Sequence, residues 1–151
     1  MDDSYSYSRL ATRDSERFGA WLRMFGEAFG DVGTYTGAMP GTAYVEALLD
    51  KPHFIALAAA NGSEIVGGLA AFVLDKFERE RSEVYIYDLA VVENHRRRGI
   101  ATRLIQELKP IAKELGAYVI YVQADRGDLP AIQLYESLGT REDVYHFDID
   151  V

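Results

Sequence analysis

Apolar positions along this chain recur with two periods, and the switches between them mark the elements. Residues 5–10 alternate aromatic and polar side chains and predict a short strand. From Ser15 to Phe29 the spacing changes, placing Phe18, Trp21, Leu22, Phe25 and Phe29 on one helical face. Gly30, Gly33 and Gly37 then predict a loop. Tyr44, Val45, Leu48 and Leu49 predict a second, short helix that stops before Pro52. Apolar runs at 54–60 and 64–74 flank Asn61–Gly62, a dipeptide suited to tight hairpins, so they predict an antiparallel pair. Residues 83–92, rich in Val, Ile and Tyr, predict another strand. Residues 99–115 return to helical spacing, with Pro110 inside and Gly116 as the stop. A strand at 118–124, a helix opened by Pro130 and closed by Gly139, and a last strand at 144–149 complete the series.

The order β, α, α, β, β, β, α, β, α, β predicts an α/β (α+β) fold, a mixed, mostly antiparallel sheet flanked by helices. No repeat or linker divides it, so 1–151 reads as a single domain.

Composition sharpens that picture. The chain is 48% apolar, 26% charged and 12% aromatic, which fits a buried core and excludes a disordered chain. Its 16 Lys+Arg against 24 Asp+Glu leave a net charge of −8, which argues against nucleic acid or an anionic membrane as partner. Cysteine is absent, so there is no disulfide and no thiol nucleophile. The first residues are acidic and polar, unlike a signal peptide, and the apolar run at 65–74 is too short to span a bilayer. These features predict a soluble, cytoplasmic protein.

Against that acidity, Arg96, Arg97 and Arg98 stand together where a strand gives way to a helix. The first amides of a helix lack internal partners and carry partial positive charge. With Gly99 admitting a close approach, Arg96 through Thr102 form a candidate phosphate cradle. The Gly-Lys-Ser/Thr ending of a nucleotide P-loop is missing. A solvated basic turn paired with surface carboxylates is the alternative.

At these residues the sequence resembles the GNAT superfamily of acyl-CoA-dependent N-acetyltransferases. The superfamily's pyrophosphate motif, Gln/Arg-x-x-Gly-x-Gly/Ala, matches Arg96 to Ala101. A second motif, Ala-x-x-Leu-Tyr-x-x-x-Gly, matches Ala131, Leu134, Tyr135 and Gly139. The segments at 25–32, 54–59, 82–91, 116–125 and 145–150 are similar to the type I aminoglycoside 3-N-acetyltransferases, which inactivate gentamicin-type antibiotics. The resemblance implies the GNAT fold, with an acetyl-CoA cleft where two central strands splay. It also implies a polycationic aminoglycoside as acceptor, and a homodimer would be in keeping with it. One departure is the short end after Gly139, with room for one long strand where many relatives have two.

Acetyl transfer to an amine needs a base, donors for the developing oxyanion and a proton or equivalent stabilisation for the departing thiolate. Counting by twos along the strand, Asp88 is the one polar member of the row Val84, Ile86, Asp88, Ala90, Val92; a bulge would alter that facing. Desolvation there would raise its pKa towards the working range of a base. The resemblance puts Asp88 at the reacting amine and Tyr135 near the coenzyme sulfur as proton donor. It also implies that Leu89, Ala90 and Val91 pair with the pantetheine arm, and that Asp128 and Ala131 contact the coenzyme. Asp128 is equally placed to cap the helix that starts at Pro130.

A cationic acceptor calls for carboxylates. Residues 111–151 hold eight acidic and three basic side chains. Asp125, Asp148 and Asp150 lie at predicted strand ends, with Asp31 and Glu83 further candidates. Tyr35 and Tyr145 are candidates to pack on sugar rings. The histidines His53, His95 and His146 lack metal-ligand spacing, so no metal is expected; His146 is a minor candidate for proton transfer. Two readings compete with the aminoglycoside enzyme: a GNAT enzyme for a polyamine, small amine or protein amino group, and a non-catalytic acyl-CoA-binding module.

Overall fold

The computed structural model describes residues 4–151; the acidic start at Met1–Asp3 lies outside the described residues. It divides into two compact units, one reaching Tyr121 and one spanning Val122–Val151.

The first unit is built on a five-stranded sheet in the order β1 (Tyr5–Arg9), β2 (Phe54–Asn61), β3 (Glu64–Asp75), β4 (Ser82–Val91), β5 (Ala117–Val122). The first three pairings are antiparallel. At the far side, the Ser82 amide donates to Gly116 O (3.0 Å) and the Ser82 hydroxyl to Leu115 O (2.7 Å). The starts of β4 and β5 therefore lie side by side and the two strands run parallel, which makes the sheet mixed. The β2–β3 hairpin turns at Asn61–Gly62 as its sequence predicts, with Gly62 at φ 61°.

Helix α1 (Ser15–Phe29) packs on one face of the sheet. Phe18, Trp21, Met24 and Phe25 are buried, and the Trp21 indole donates to Leu57 O (2.9 Å). Gly68 of β3 permits this contact. A Cβ there would lie 2.5 Å from Trp21 Nε1 and 2.6 Å from Met24 Cε. Gly67 faces the other way, where a Cβ would meet Ile100 (3.1 Å), the first residue of the amphipathic helix α4 (Ile100–Glu114). Leu104, Ile105, Leu108 and Ala112 of α4 are buried, and the helix continues through Pro110.

The predicted loop after α1 contains a short helix, α2 (Val32–Thr36). The Asp31 carboxylate accepts from the Thr34 amide (3.2 Å), and this cap nucleates a turn in spite of the glycines. Helix α3 (Thr42–Asp50) follows, burying Val45 and Leu49.

The second unit holds α5 (Leu129–Leu138), capped by Asp128, whose carboxylate accepts from the Ala131 amide (3.2 Å). The strand expected at 144–149 does not form. Tyr145, Phe147 and Ile149 do alternate with polar residues. A strand has no hydrogen bonds of its own, however, and no neighbouring strand exists within this unit. Their side chains stand 80%, 81% and 88% exposed.

Candidate active site

The register of β3 against β4 shifts by one residue: Ala70 pairs with Asp88 and Ala71 with Ile86, leaving Tyr87 as the extra residue of a bulge. This overturns the row counted by twos. Partners across a ladder share a face. Val84 and Ile86 go with Val73 and Ala71, on the α4 face together with Leu89 and Val91. Asp88 and Ala90 go with Ala70 and Gly68, on the α1 face. Periodicity alone cannot see an inserted residue, so the sequence count put Asp88 in line with Ile86.

Turned this way, Asp88 borders a cavity of about 300 Å³ lined by Phe18, Leu22, Thr34, Tyr35, Ala38, Pro40, Tyr44, Leu48 and Tyr87. The walls are apolar and aromatic, and Asp88 is their one ionisable carboxylate. The Tyr35 hydroxyl donates to Asp88 Oδ2 (2.9 Å). Burial pushes the Asp88 carboxyl above the usual carboxylate range, and the Tyr35 hydrogen bond opposes that shift. Burial, with the hydrogen bond to Asp88, raises the Tyr35 phenol well above its ordinary value. Tyr35, a candidate for sugar packing, lines this cavity, stacks on Phe25 (centroids 5.7 Å apart) and reaches the carboxylate. Asp31 acts through the cap of α2, the helix that carries Tyr35.

Next to Asp88 lies a row of rings that sequence reasoning missed. Phe54, Phe72, Tyr87, Tyr85 and Tyr121 touch in succession from β2 to β5, with Tyr85 and Tyr121 stacked at 4.8 Å. The available signal was the alternation Tyr85, Tyr87 in β4. Glu83 lies at the other end of β4, where Tyr118 donates to it and Lys76 approaches within 3.5 Å. The Tyr118 hydrogen bond and the Lys76 charge hold its carboxyl below the usual range. Glu83 is engaged in this surface cluster rather than lining the cavity.

Beyond Asp88, the strand passes Leu89, Ala90 and Val91 and enters the basic loop. Arg97 and Gly99 adopt positive φ (61° and 77°), and no side chain caps α4. A Cβ at Gly99 would meet nothing within 4 Å. The amides of Ile100, Ala101 and Thr102 have no side-chain cap and follow the exposed Arg97 and Arg98, an arrangement that fits a pyrophosphate. Arg96 is spent differently. Its guanidinium donates to Val91 O and Ala28 O, both at 2.9 Å. His95 leaves the loop to meet the Tyr5 hydroxyl (2.8 Å).

The chain belongs to the acetyltransferase (GNAT) family, which matches residues 19–140. Enzymes of this family use acetyl-CoA. The chain is similar throughout to a crystal structure of an aminoglycoside acetyltransferase from an uncultured soil metagenomic sample: 55% identity, TM-score 0.96, covering 98% of this chain and 99% of that one. A second soil metagenomic aminoglycoside acetyltransferase, solved in complex with sisomicin, is 32% identical with TM-score 0.90, covering 99% and 98%. Curated relatives match over shorter stretches. The chloroplastic GCN5-related N-acetyltransferase 4 of Arabidopsis thaliana is 39% identical over 64 residues, 42% of this chain and 22% of its own length. An N-alpha-acetyltransferase of Saccharolobus solfataricus is 36% identical over 59 residues, 38% of this chain and 35% of its own length. The chain thus spans well under half the length of these two relatives.

Within the second unit, Tyr135 lies on α5 and is partly buried. Arg126 sits over the Tyr145 ring (5.8 Å), and His146 pairs with Asp148 (3.0 Å). Asp125 and Asp150 are exposed. Among the described residues no three His, Asp or Glu cluster as for a metal, and no helix is long and apolar enough to cross a membrane.

Proposed function

We propose that this protein transfers an acetyl group from acetyl-CoA to an amino group of an aminoglycoside antibiotic, at the 3-amino position, and so confers resistance. The observation that carries the reading is Asp88: a half-buried carboxylate with a raised pKa, on an aromatic cavity, one strand-length from an uncapped basic helix start. Acetyl-CoA supplies the acyl group as a thioester. Arg97, Arg98 and the amides of Gly99, Ile100, Ala101 and Thr102 would hold its pyrophosphate, and the Leu89–Val91 backbone its pantetheine arm.

Asp88 attracts the substrate ammonium and takes its proton, freeing the amine lone pair for attack. The aromatic walls suit the flat, carbon-rich faces of sugar rings and attract cations. Tyr135 is assigned the proton donor to the departing thiolate on its motif alone. Asp125, Asp148, Asp150 and Tyr145, all in the second unit, are further candidates for the drug on their charge and ring chemistry alone. The likeness to the sisomicin-bound enzyme supports the acceptor class.

The test is direct. Purified protein with acetyl-CoA and sisomicin or gentamicin should release free thiol, and NMR of the product should place the acetyl group on the 3-amino nitrogen. Release with spermidine or peptide amines and none with any aminoglycoside would overturn the acceptor class.

A further inference from the structure

Tyr35 reaches Asp88 through a specific construction. Gly26, in the last turns of α1, lies against the start of α2: a Cβ there would sit 3.2 Å from Val32 Cα and 3.5 Å from Tyr35 Cβ. Its absence lets α2 close onto α1. Phe25, Phe29 and Tyr35 then form a three-ring cluster, with Tyr35 5.7 Å from each phenylalanine and the two phenylalanines 5.9 Å apart. Two rotatable bonds fixed by ring packing leave the hydroxyl little choice of direction, and it points at Oδ2 of Asp88 (2.9 Å).

We infer that Tyr35 is the positioning residue of Asp88, committing Oδ2 to the phenol and leaving Oδ1 as the atom that receives the proton of the substrate amine. The inference rests on the reading of Asp88 as base. A carboxylate with both oxygens free rotates and presents either; one oxygen held by a fixed donor presents the other in a single direction. The phenol also opposes the upward shift that burial imposes on the Asp88 carboxyl. The phenol keeps its own proton throughout, because the neighbouring carboxylate and burial both disfavour a tyrosinate. The titratable groups around the pair are Asp31 at the start of α2, Tyr44 of α3, and Tyr85 and Tyr87 of β4.

Tyr35→Phe removes the donor and keeps the ring stack; Tyr35→Leu removes both and reports what the stack alone contributes to folding. In Tyr35→Phe, kcat/KM for the aminoglycoside at neutral pH should fall about 10-fold, the loss expected for one hydrogen bond to a charged group. The acid limb of its pH profile should move to higher pH. The Asp88 carboxyl, followed by carbon-13 NMR in protein without substrates, should titrate at higher pH in the same variant. An Asp88 titration that does not move overturns the assignment of Tyr35. A titration that moves while the kinetic acid limb stays put overturns instead the reading of Asp88 as base.

Discussion

The guanidinium of Arg96 joins Val91 at the end of β4 to Ala28 near the end of α1, carbonyls 63 residues apart in the chain, through two hydrogen bonds of 2.9 Å. The carbonyls at a helix end lack intrahelical partners, and a cation there is doubly favoured. Arg96 thereby fastens the basic loop to the helix that lines the cavity beside Asp88. Arg96→Met should lower stability by about 1 kcal/mol, because both bonds are solvent-accessible. For a chain of this size that is about 2–4 °C in Tm. It should also weaken coenzyme A binding in a calorimetric titration. Arg96→Lys should recover little, since one ammonium cannot span both carbonyls.

Asp88→Asn keeps shape and hydrogen-bonding capacity but removes the proposed base, and turnover should fall by roughly 10²–10⁴ with coenzyme affinity retained. The same variant carries a stability prediction of opposite sign. A carboxyl whose folded pKa lies above its unfolded value binds its proton more tightly when folded. Stability therefore falls as pH rises from the ordinary carboxylate pKa through the folded one, and stays lower above it. Asp88→Asn should be more stable than wild type at neutral pH, with the difference shrinking in acid. Chemical denaturation at several pH values measures it.

Gly99→Ala probes the loop without steric ambiguity, since a Cβ there touches nothing and only the φ of 77° opposes it. The cost should be about 1–2 kcal/mol of backbone strain. Gly99→Asn, a residue that tolerates the left-handed region, should lose less. Thermal unfolding of the two variants checks the order.

Gly68→Val tests the opposite situation, an unstrained backbone with no room. Its side chain would press on Trp21 and Met24, and overpacking of this kind costs about 1–3 kcal/mol. Trp21 is the single tryptophan, so its fluorescence reports the unfolding directly.

The net charge of −8 makes a prediction for the acceptor. If acidity draws in a polyammonium sugar, apparent affinity for it should fall as salt rises while kcat at saturation holds. A KM independent of ionic strength would remove charge from the recognition.

Elements with uninterrupted periodicity were legible in the chain. Helix α1 begins and ends where the spacing of Phe18, Trp21 and Phe25 puts it, and the Asn61–Gly62 hairpin forms as its turn chemistry requires. The basic loop at a helix start was also readable, because it depends on neighbours in sequence. Three things were not. Helix α2 owes its existence to one Asp31 cap amid glycines. The apolar alternation at 144–149 marks a strand only where a partner strand is present, and Val122–Val151 contains none. The meeting of Tyr35 with Asp88, 53 residues apart, depends on how α2 lies on α1 and on a bulge that leaves no periodic trace.

That bulge makes the carboxylate's orientation a matter of register. Were Tyr87 drawn into the ladder as an ordinary strand residue, Asp88 would fall in line with Ile86 and face the packed interior under α4. Deleting Tyr87 would leave Ala70 opposite Asp88 and Ala71 opposite Ile86, so the carboxylate would keep its face and only the bulge would go. The orientation of the acid is thus held by pairing rather than by spacing, and whatever flattens this strand against β3 would turn the acid inward without altering a single residue.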